Sequence, residues 1–159
     1  MKLRNSVFDI AVNIVCLLQL AGIVLYLLIT WNSLPDQIPG HFGADGVVTR
    51  YDGRGALLVG PIFAWVLFGG IVLLERFPQV WNTGVTVTEK NKAKVYRTIK
   101  SLLATTKLIM VTAFVFIAII QSLARNLPGW FLPVFIWLLV AALVFFVIQL
   151  IYHGLKTGT

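Results

Sequence analysis

The sequence is poor in charge, in acidic residues and in cysteine. Only 12% of its 159 residues are charged and six are acidic, whereas 58% are hydrophobic and the mean hydropathy is +0.89. A soluble globular domain needs more charged residues on its surface than this, so the composition excludes a soluble globular protein. The one cysteine, Cys16, excludes a disulfide within the chain and leaves the redox compartment open. The scarcity of charge therefore predicts a membrane protein.

Sequence motifs for several chemistries are also absent. The chain has no H-E-x-x-H or C-x-x-C pattern, no Walker loop and no dinucleotide-type glycine pattern. Its net charge is +7, but most basic residues lie in one segment between apolar runs. This distribution indicates membrane topology and attraction to anionic lipid rather than binding to nucleic acid. We therefore predict a non-enzymatic protein with no cofactor and no nucleic-acid partner.

Four apolar runs are long enough to cross a hydrocarbon layer of about 30 Å, which takes roughly 20 helical residues. They predict transmembrane helices at about 8–31, 56–74, 101–123 and 130–152 of one integral membrane domain, residues 1–159. The third run reaches this length only if Lys107 extends its ammonium group to the interface. A cleaved signal peptide is the alternative interpretation of the first run. The run is too long for the apolar region of a signal peptide and is not followed by an A-x-A-like cleavage site, so we predict a permanent span. The predicted fold is an all-α bundle of four transmembrane helices.

The distribution of lysine and arginine predicts how this bundle is oriented. Ten of the thirteen basic residues lie in the N-terminal segment, the connection between the second and third helices, and the C-terminal segment. The remaining three lie in the other two connections. Because cytoplasmic segments carry the excess of basic residues, we expect both termini in the cytoplasm and the loop at 32–55 outside.

The outer loop contains "LPDQIPGHFGADGVVTRYDG", residues 34–53. Its two prolines restrict the backbone, and the Asp-Gly pair between two short runs predicts a β-hairpin with a type I′ turn. The apolar side chains of Ile38, Phe42, Val47 and Tyr51 are expected to rest on the helix ends or on lipid. The candidate residues for binding a peptide or protein are Pro35, Asp36, Ile38, Pro39, His41, Phe42, Asp45 and Gly46.

His41 has other interpretations as well. With Asp36, Asp45 and Asp52 it could surround a divalent metal ion, which would make the protein a metal-dependent enzyme of the membrane surface. In the structural interpretation, the aspartates form turns and His41 bonds to the loop backbone or to neighbouring helix ends. Because no second outward-facing histidine is present, the sequence favours the structural interpretation.

The inner connection carries most of the basic charge. The capping-box spacing of Thr86 and Glu89 predicts a basic helix at about 87–107 that continues into the third span. Its predicted contacts with anionic lipid or a cytoplasmic regulator come from Lys90, Lys92, Lys94, Arg97 and Lys100. Charged residues near the span ends, namely Asp9, Glu75 and Lys107, are expected to mark boundaries, whereas Asn13, Gln19, Thr112, Gln121 and Gln149 are expected to bond between helices.

The stretch "LPDQIPGHFGADG" resembles the LP-x-x-IP-x-HF-x-x-x-G signature of a bacterial membrane-protein domain of unknown function, which also occurs in SdpI-type immunity proteins. The later "VTVTEKNKAKVYR" is similar to the segment after that family's second span. The resemblance implies a multi-pass protein of the bacterial cytoplasmic (inner) membrane. It motivates the hypothesis of a sensor, signalling or immunity-like protein that recognises a peptide or protein with its outer loop. The alternative is an accessory subunit of a larger membrane complex.

Overall fold

The computed structural model describes residues 3–155. Within this range there are four α-helices and a two-stranded antiparallel sheet: α1 Val7–Thr30, β1 Gln37–Phe42, β2 Val48–Gly53, α2 Val59–Glu75, α3 Lys92–Ser122 and α4 Phe131–Leu155. Each helix, in two cases with a flanking 3-10 turn, is long and apolar enough to cross a membrane. The four predicted long helices and the hairpin are therefore confirmed. Lys2 and Lys156, which enter the charge count above, lie outside the described residues.

α3 is the central helix and packs against each of the other three. The core between α1, α2 and α3 is built from small and aliphatic side chains that are almost fully buried, including Cys16, Leu20, Ala64 and Val111. α4 lies at the side of this core, and its buried residues are Phe131 and Phe146. The other faces of α4 are largely apolar and exposed, which is the surface that lipid would cover.

The two ends of the bundle differ in chemistry. The hairpin, 37–53, and the connection between α3 and α4, 123–130, lie together at one end, which we call the hairpin end. The start of α1, the end of α2 and the first turns of α3 lie together at the other end, which we call the basic end. With 31 residues α3 is about 46 Å long, so it connects the two ends.

The start of α3 differs from the prediction. The helix begins at Lys92 rather than near residue 87, so the predicted capping box is wrong. Asn91 is buried, accepts the Thr88 N–H at 2.7 Å and donates to the carbonyls of Thr86 at 3.0 Å and His153 at 3.3 Å. These bonds hold the preceding segment in a turn against the end of α4. From residue 92 onward the basic segment and the third span form one helix, as predicted.

Candidate functional site

The hairpin forms with a different turn from the predicted one. Its strands pair Ile38 with Asp52 and Phe42 with Val48, and the register shifts on both sides of His41. At the tip, the Gly46 N–H donates to a carbonyl three residues earlier at 2.9 Å, and within residues 43–47 only Gly46 has positive φ, 82°. A type I′ turn needs two consecutive positive-φ residues, so that turn type is wrong.

The first strand is attached to the bundle through its apolar side chains. Leu34 and Ile38 are buried in a cluster with Leu27 and Leu57, and Ile38 is 0% exposed. The neighbouring Pro39 is also fully buried. The Gln121 amide on α3 donates to the Pro39 carbonyl at 2.8 Å. A two-stranded hairpin is marginal alone in water, and these contacts supply the stabilisation that it needs.

The tip of the hairpin is attached to the connection between α3 and α4. The Leu127 N–H donates to the Gly46 carbonyl and the Val48 N–H donates to Asn126 Oδ1, both at 2.9 Å. A Cβ atom at position 46 would lie 2.5 Å from the Leu127 carbonyl oxygen. Glycine is therefore required at the tip for its positive φ and for this close approach. The hairpin is fixed at both its base and its tip.

The structure divides the eight predicted binding residues into two groups. Ile38, Pro39 and Gly46 are buried and hold the loop on the bundle, and contact of these three residues with a partner stays a prediction. The exposed residues are Pro35, Asp36, His41 and Asp45, and Phe42 is half-buried. Val47 and Tyr51, which were expected to rest on the helix ends or on lipid, are 47% and 54% exposed, so they do not rest on the helix ends and their contact with lipid stays a prediction.

The predicted metal ligands are not brought together. Each loop aspartate has a local partner: Asp36 pairs with Arg54 at 2.6 Å, Asp45 accepts the Val47 N–H at 3.0 Å, and Asp52 pairs with Arg50 at 2.9 Å. Within residues 3–155 no group of three histidine, cysteine, aspartate or glutamate side chains could hold a metal ion. The aspartate carboxylates therefore stabilise the conformation of the loop. His41 is exposed, and these carboxylates do not surround it.

A cleft of about 410 Å³ lies between the hairpin, α3 and α4. His41 and Phe42 of the hairpin line it, together with Phe114 of α3 and Phe135 of α4. Gln121 of α3 adds a polar group to the lining. An apolar cavity of this size with a few polar groups is typical of binding sites for small or extended ligands. Three of the predicted binding residues, His41, Phe42 and Gly46, line this cleft together with residues such as Phe114 and Phe135 that were not predicted.

Lys107 forms a buried polar site near the basic end. It is 0% exposed, and its ammonium group donates to Glu75 Oε1 at 2.8 Å and to Asn13 Oδ1 at 2.7 Å. The group also lies 5.5 Å from the centre of the Phe68 ring. The expectation that Lys107 extends to the interface is therefore wrong. Glu75 on α2 neutralises the charge inside the bundle and Asn13 on α1 accepts a second hydrogen bond, so Lys107 is a contact between three helices.

A second buried ion pair lies nearer the basic end. Asp9 is 1% exposed; its carboxylate is 2.8 Å from Arg97 and 3.6 Å from Lys100, and Lys100 also donates to Asn5 at 2.6 Å. Lys100 thus belongs to the interior, whereas the Arg97 side chain is 37% exposed; contact of Lys100 with lipid or a regulator stays a prediction. The exposed members of the predicted basic set include Lys90 and Lys94.

The sequence contained a signal for these ion pairs. Arg97, Lys100 and Lys107 are spaced by three and seven residues, so they share one face of α3. Asp9 and Asn13 are spaced by four and share a face of α1. Charged and amide side chains aligned in this way at the end of an apolar helix indicate a polar interhelical contact. Gln19 and Thr112 were both predicted to bond between helices, and they are bonded to each other at 3.1 Å.

The fold and these sites define a chain with four helices of membrane-spanning length, a fixed hairpin at one end and buried ion pairs near the other. Residues 18–64 match the family described as "Domain of unknown function (DUF1648)". The matched part runs from α1 through the hairpin into α2, so it contains the buried loop residues described above. The predicted domain of unknown function is therefore confirmed over these residues, whereas the resemblance to SdpI-type proteins stays a prediction.

The chain is also similar to a protein from Archaeoglobus fulgidus that is described as uncharacterized. The two are 34% identical over 74 residues, which are 42% of this chain and 40% of that protein. The chain therefore matches about two fifths of the length of this relative. No solved structure matches the chain.

Proposed function

We propose that the protein is a non-catalytic sensor or immunity-like protein of the bacterial cytoplasmic membrane, and that it recognises a hydrophobic peptide at the hairpin end. The observation that carries this proposal is the cleft beneath the hairpin. A peptide segment with one polar side and one apolar side would place its polar groups near His41 and its apolar side chains against the wall formed by Phe114 and Phe135.

The attachment of the hairpin supports recognition by a formed site. The loop is held by the buried Ile38 and by the bonds of Gly46 and Val48 to the connection after α3. A fixed loop loses little conformational entropy when a ligand binds, so more of the contact energy appears as affinity. Sequence changes in exposed positions such as His41 would then alter specificity without disturbing the fold.

The orientation and the loop signature also support the proposal. The excess of lysine and arginine at the basic end favours an extracytoplasmic hairpin, where a secreted peptide would meet it. The resemblance to SdpI-type immunity proteins lies in this same loop. In this arrangement the exposed Lys90 and Lys94 face the cytoplasm, where they would contact anionic lipid or a regulator.

Photo-crosslinking in cells tests this function. A benzoyl-phenylalanine at position 42 lies at the cleft, whereas the same group at position 51 lies on the same hairpin with its side chain exposed and outside the cleft lining. We expect a discrete adduct with a peptide or a secreted protein from position 42, weaker adducts when His41 is replaced by alanine, and no such adduct from position 51. Lipid adducts alone at position 42, or the same adducts at both positions, would contradict the proposal.

The exposed faces of α4 favour one alternative, an accessory subunit of a larger membrane complex. Val144 is 50% exposed and lies on this helix. If benzoyl-phenylalanine at position 144 forms a discrete adduct with another membrane protein while position 42 forms none, the accessory role replaces the sensor role. Lipid adducts alone at position 144 count against the accessory role.

A further inference from the structure

A second cavity, of about 860 Å³, lies at the basic end and is bordered by charged side chains. The segment before α1 contributes Arg4, the end of α2 contributes Glu75 and Arg76, and α3 contributes Lys100. Asn13 also lines it. This chemistry differs from that of the apolar cleft at the hairpin end, and nothing in the recognition of a peptide there uses it.

The charges around this cavity are not balanced. The carboxylate of Glu75 is already paired with Lys107 at 2.8 Å, and Asp9, behind Lys100, is paired with Arg97 at 2.8 Å. The charged residues that line the cavity, taken with their ion-pair partners, are five cations and two carboxylates, so the net charge is +3. The cations are Arg4, Arg76, Arg97, Lys100 and Lys107, and the carboxylates are Asp9 and Glu75. An anion in the cavity would reduce the repulsion among these cations.

Several hydrogen-bond donors at the cavity are available to a ligand. Within residues 3–155, the guanidinium groups of Arg4 and Arg76 have no hydrogen-bond or ion-pair partner. Asn13 uses its amide oxygen for Lys107, which leaves its amide N–H groups free within the same residues. Lys100 is 2% exposed and is held in place by Asn5 at 2.6 Å. The site thus combines a fixed buried cation with two exposed guanidinium groups.

We propose that this cavity binds a phosphate group, carried by the headgroup of an anionic lipid or by a soluble phosphate ester. Guanidinium groups form short, charge-assisted and often paired hydrogen bonds to phosphate oxygens. The cavity also lies where α1 begins and α2 ends, which is the depth of lipid headgroups for helices of spanning length. The proposal concerns a built cavity, and it is separate from general attraction between the exposed lysines and the membrane surface.

Native mass spectrometry of the full chain tests binding of the lipid-borne phosphate. The protein in neutral detergent is mixed with phosphatidylglycerol or phosphatidylcholine at equal concentration, and the retained lipid is measured. We expect preferential retention of phosphatidylglycerol, reduced about 100-fold in R4Q/R76Q, since each of the two lost charge-assisted bonds is worth about tenfold in affinity. The control K90Q/K94Q removes the same charge from exposed residues outside the cavity and should change retention less than twofold, on the order of the small effect of exposed charges.

A second measurement distinguishes the two sources of phosphate. Glycerol 3-phosphate is added to lipid-free protein in neutral detergent, and the midpoint of thermal unfolding is followed. A rise in midpoint that R4Q/R76Q abolishes assigns the site to a soluble ester, whereas lipid retention without such a rise assigns it to a lipid headgroup. If R4Q/R76Q is misfolded, R76Q alone changes only an exposed side chain and should lower binding about tenfold, half of the double effect in free energy. Equal retention by R4Q/R76Q and K90Q/K94Q, with no response to the ester, overturns the proposal.

Discussion

Removal of the Lys107 ammonium group should cost the protein a large part of its stability. The group is 0% exposed and 2.8 Å from a Glu75 carboxylate whose side chain is 8% exposed. At this distance the attraction between two unit charges is about 6 kcal/mol for an effective dielectric constant of about 20. Much of this attraction offsets the cost of taking both ions out of water, so the intact pair adds little net stability. K107M leaves the carboxylate buried and unpaired, which should cost about 3–5 kcal/mol.

The double variant separates the ion pair from simple packing. E75Q/K107M contains neither charge, so its loss of stability should be smaller than that of either single variant. K92M is a matched control: it breaks the pair between Lys92, at the start of the same helix, and the preceding Glu89, at 3.2 Å, whose side chains are 38% and 91% exposed. Exposed pairs of this kind contribute little, so K92M should unfold like the unmodified protein.

The free energy of unfolding is measured in mixed micelles, with sodium dodecyl sulfate as the denaturant and circular dichroism as the signal. The order of stability should be unmodified protein and K92M, then E75Q/K107M, then the two single variants. If K107M is as stable as K92M, the buried pair does not exist in the folded protein. If the losses of the single variants simply add in the double variant, Lys107 and Glu75 are not coupled.

The remaining predictions concern the tip of the hairpin and the orientation of the bundle in the membrane. G46A should lower the free energy of unfolding by about 1–3 kcal/mol, because it combines a positive φ with a clash against the Leu127 carbonyl. Thermal unfolding measures this loss, and G84A, at φ 65° with no atom within 4 Å of the added Cβ, should lose less; equal losses would show that the clash is unimportant. In a C16S background, A44C in intact cells should react with an impermeant maleimide, whereas K94C should react only after lysis. The reverse pattern would refute the orientation.

The long helices and the hairpin could be predicted because they depend on local composition. A run of about 20 apolar residues must satisfy its backbone hydrogen bonds internally in lipid, so length and hydropathy alone indicate a helix. The Asp-Gly pair between short runs similarly indicated a turn. The start of α3 shows the limit of such reasoning, since the capping-box spacing at 86–89 was overridden by the contacts of Asn91 with a segment 62 residues away.

The functional geometry depends on contacts that are distant in the sequence. Asp9 meets Arg97 across 88 residues, Lys107 meets Glu75 across 32, and the hairpin meets Asn126 across 78. The sequence by itself determined that the chain has four spanning-length helices, a hairpin after the first and a basic segment after the second. Only the tertiary structure decided which loop residues are buried, which cations are paired and where the two cavities lie. The physical reason is that hydropathy and turn preference are properties of neighbouring residues, whereas burial and ion pairing depend on which helix faces pack together.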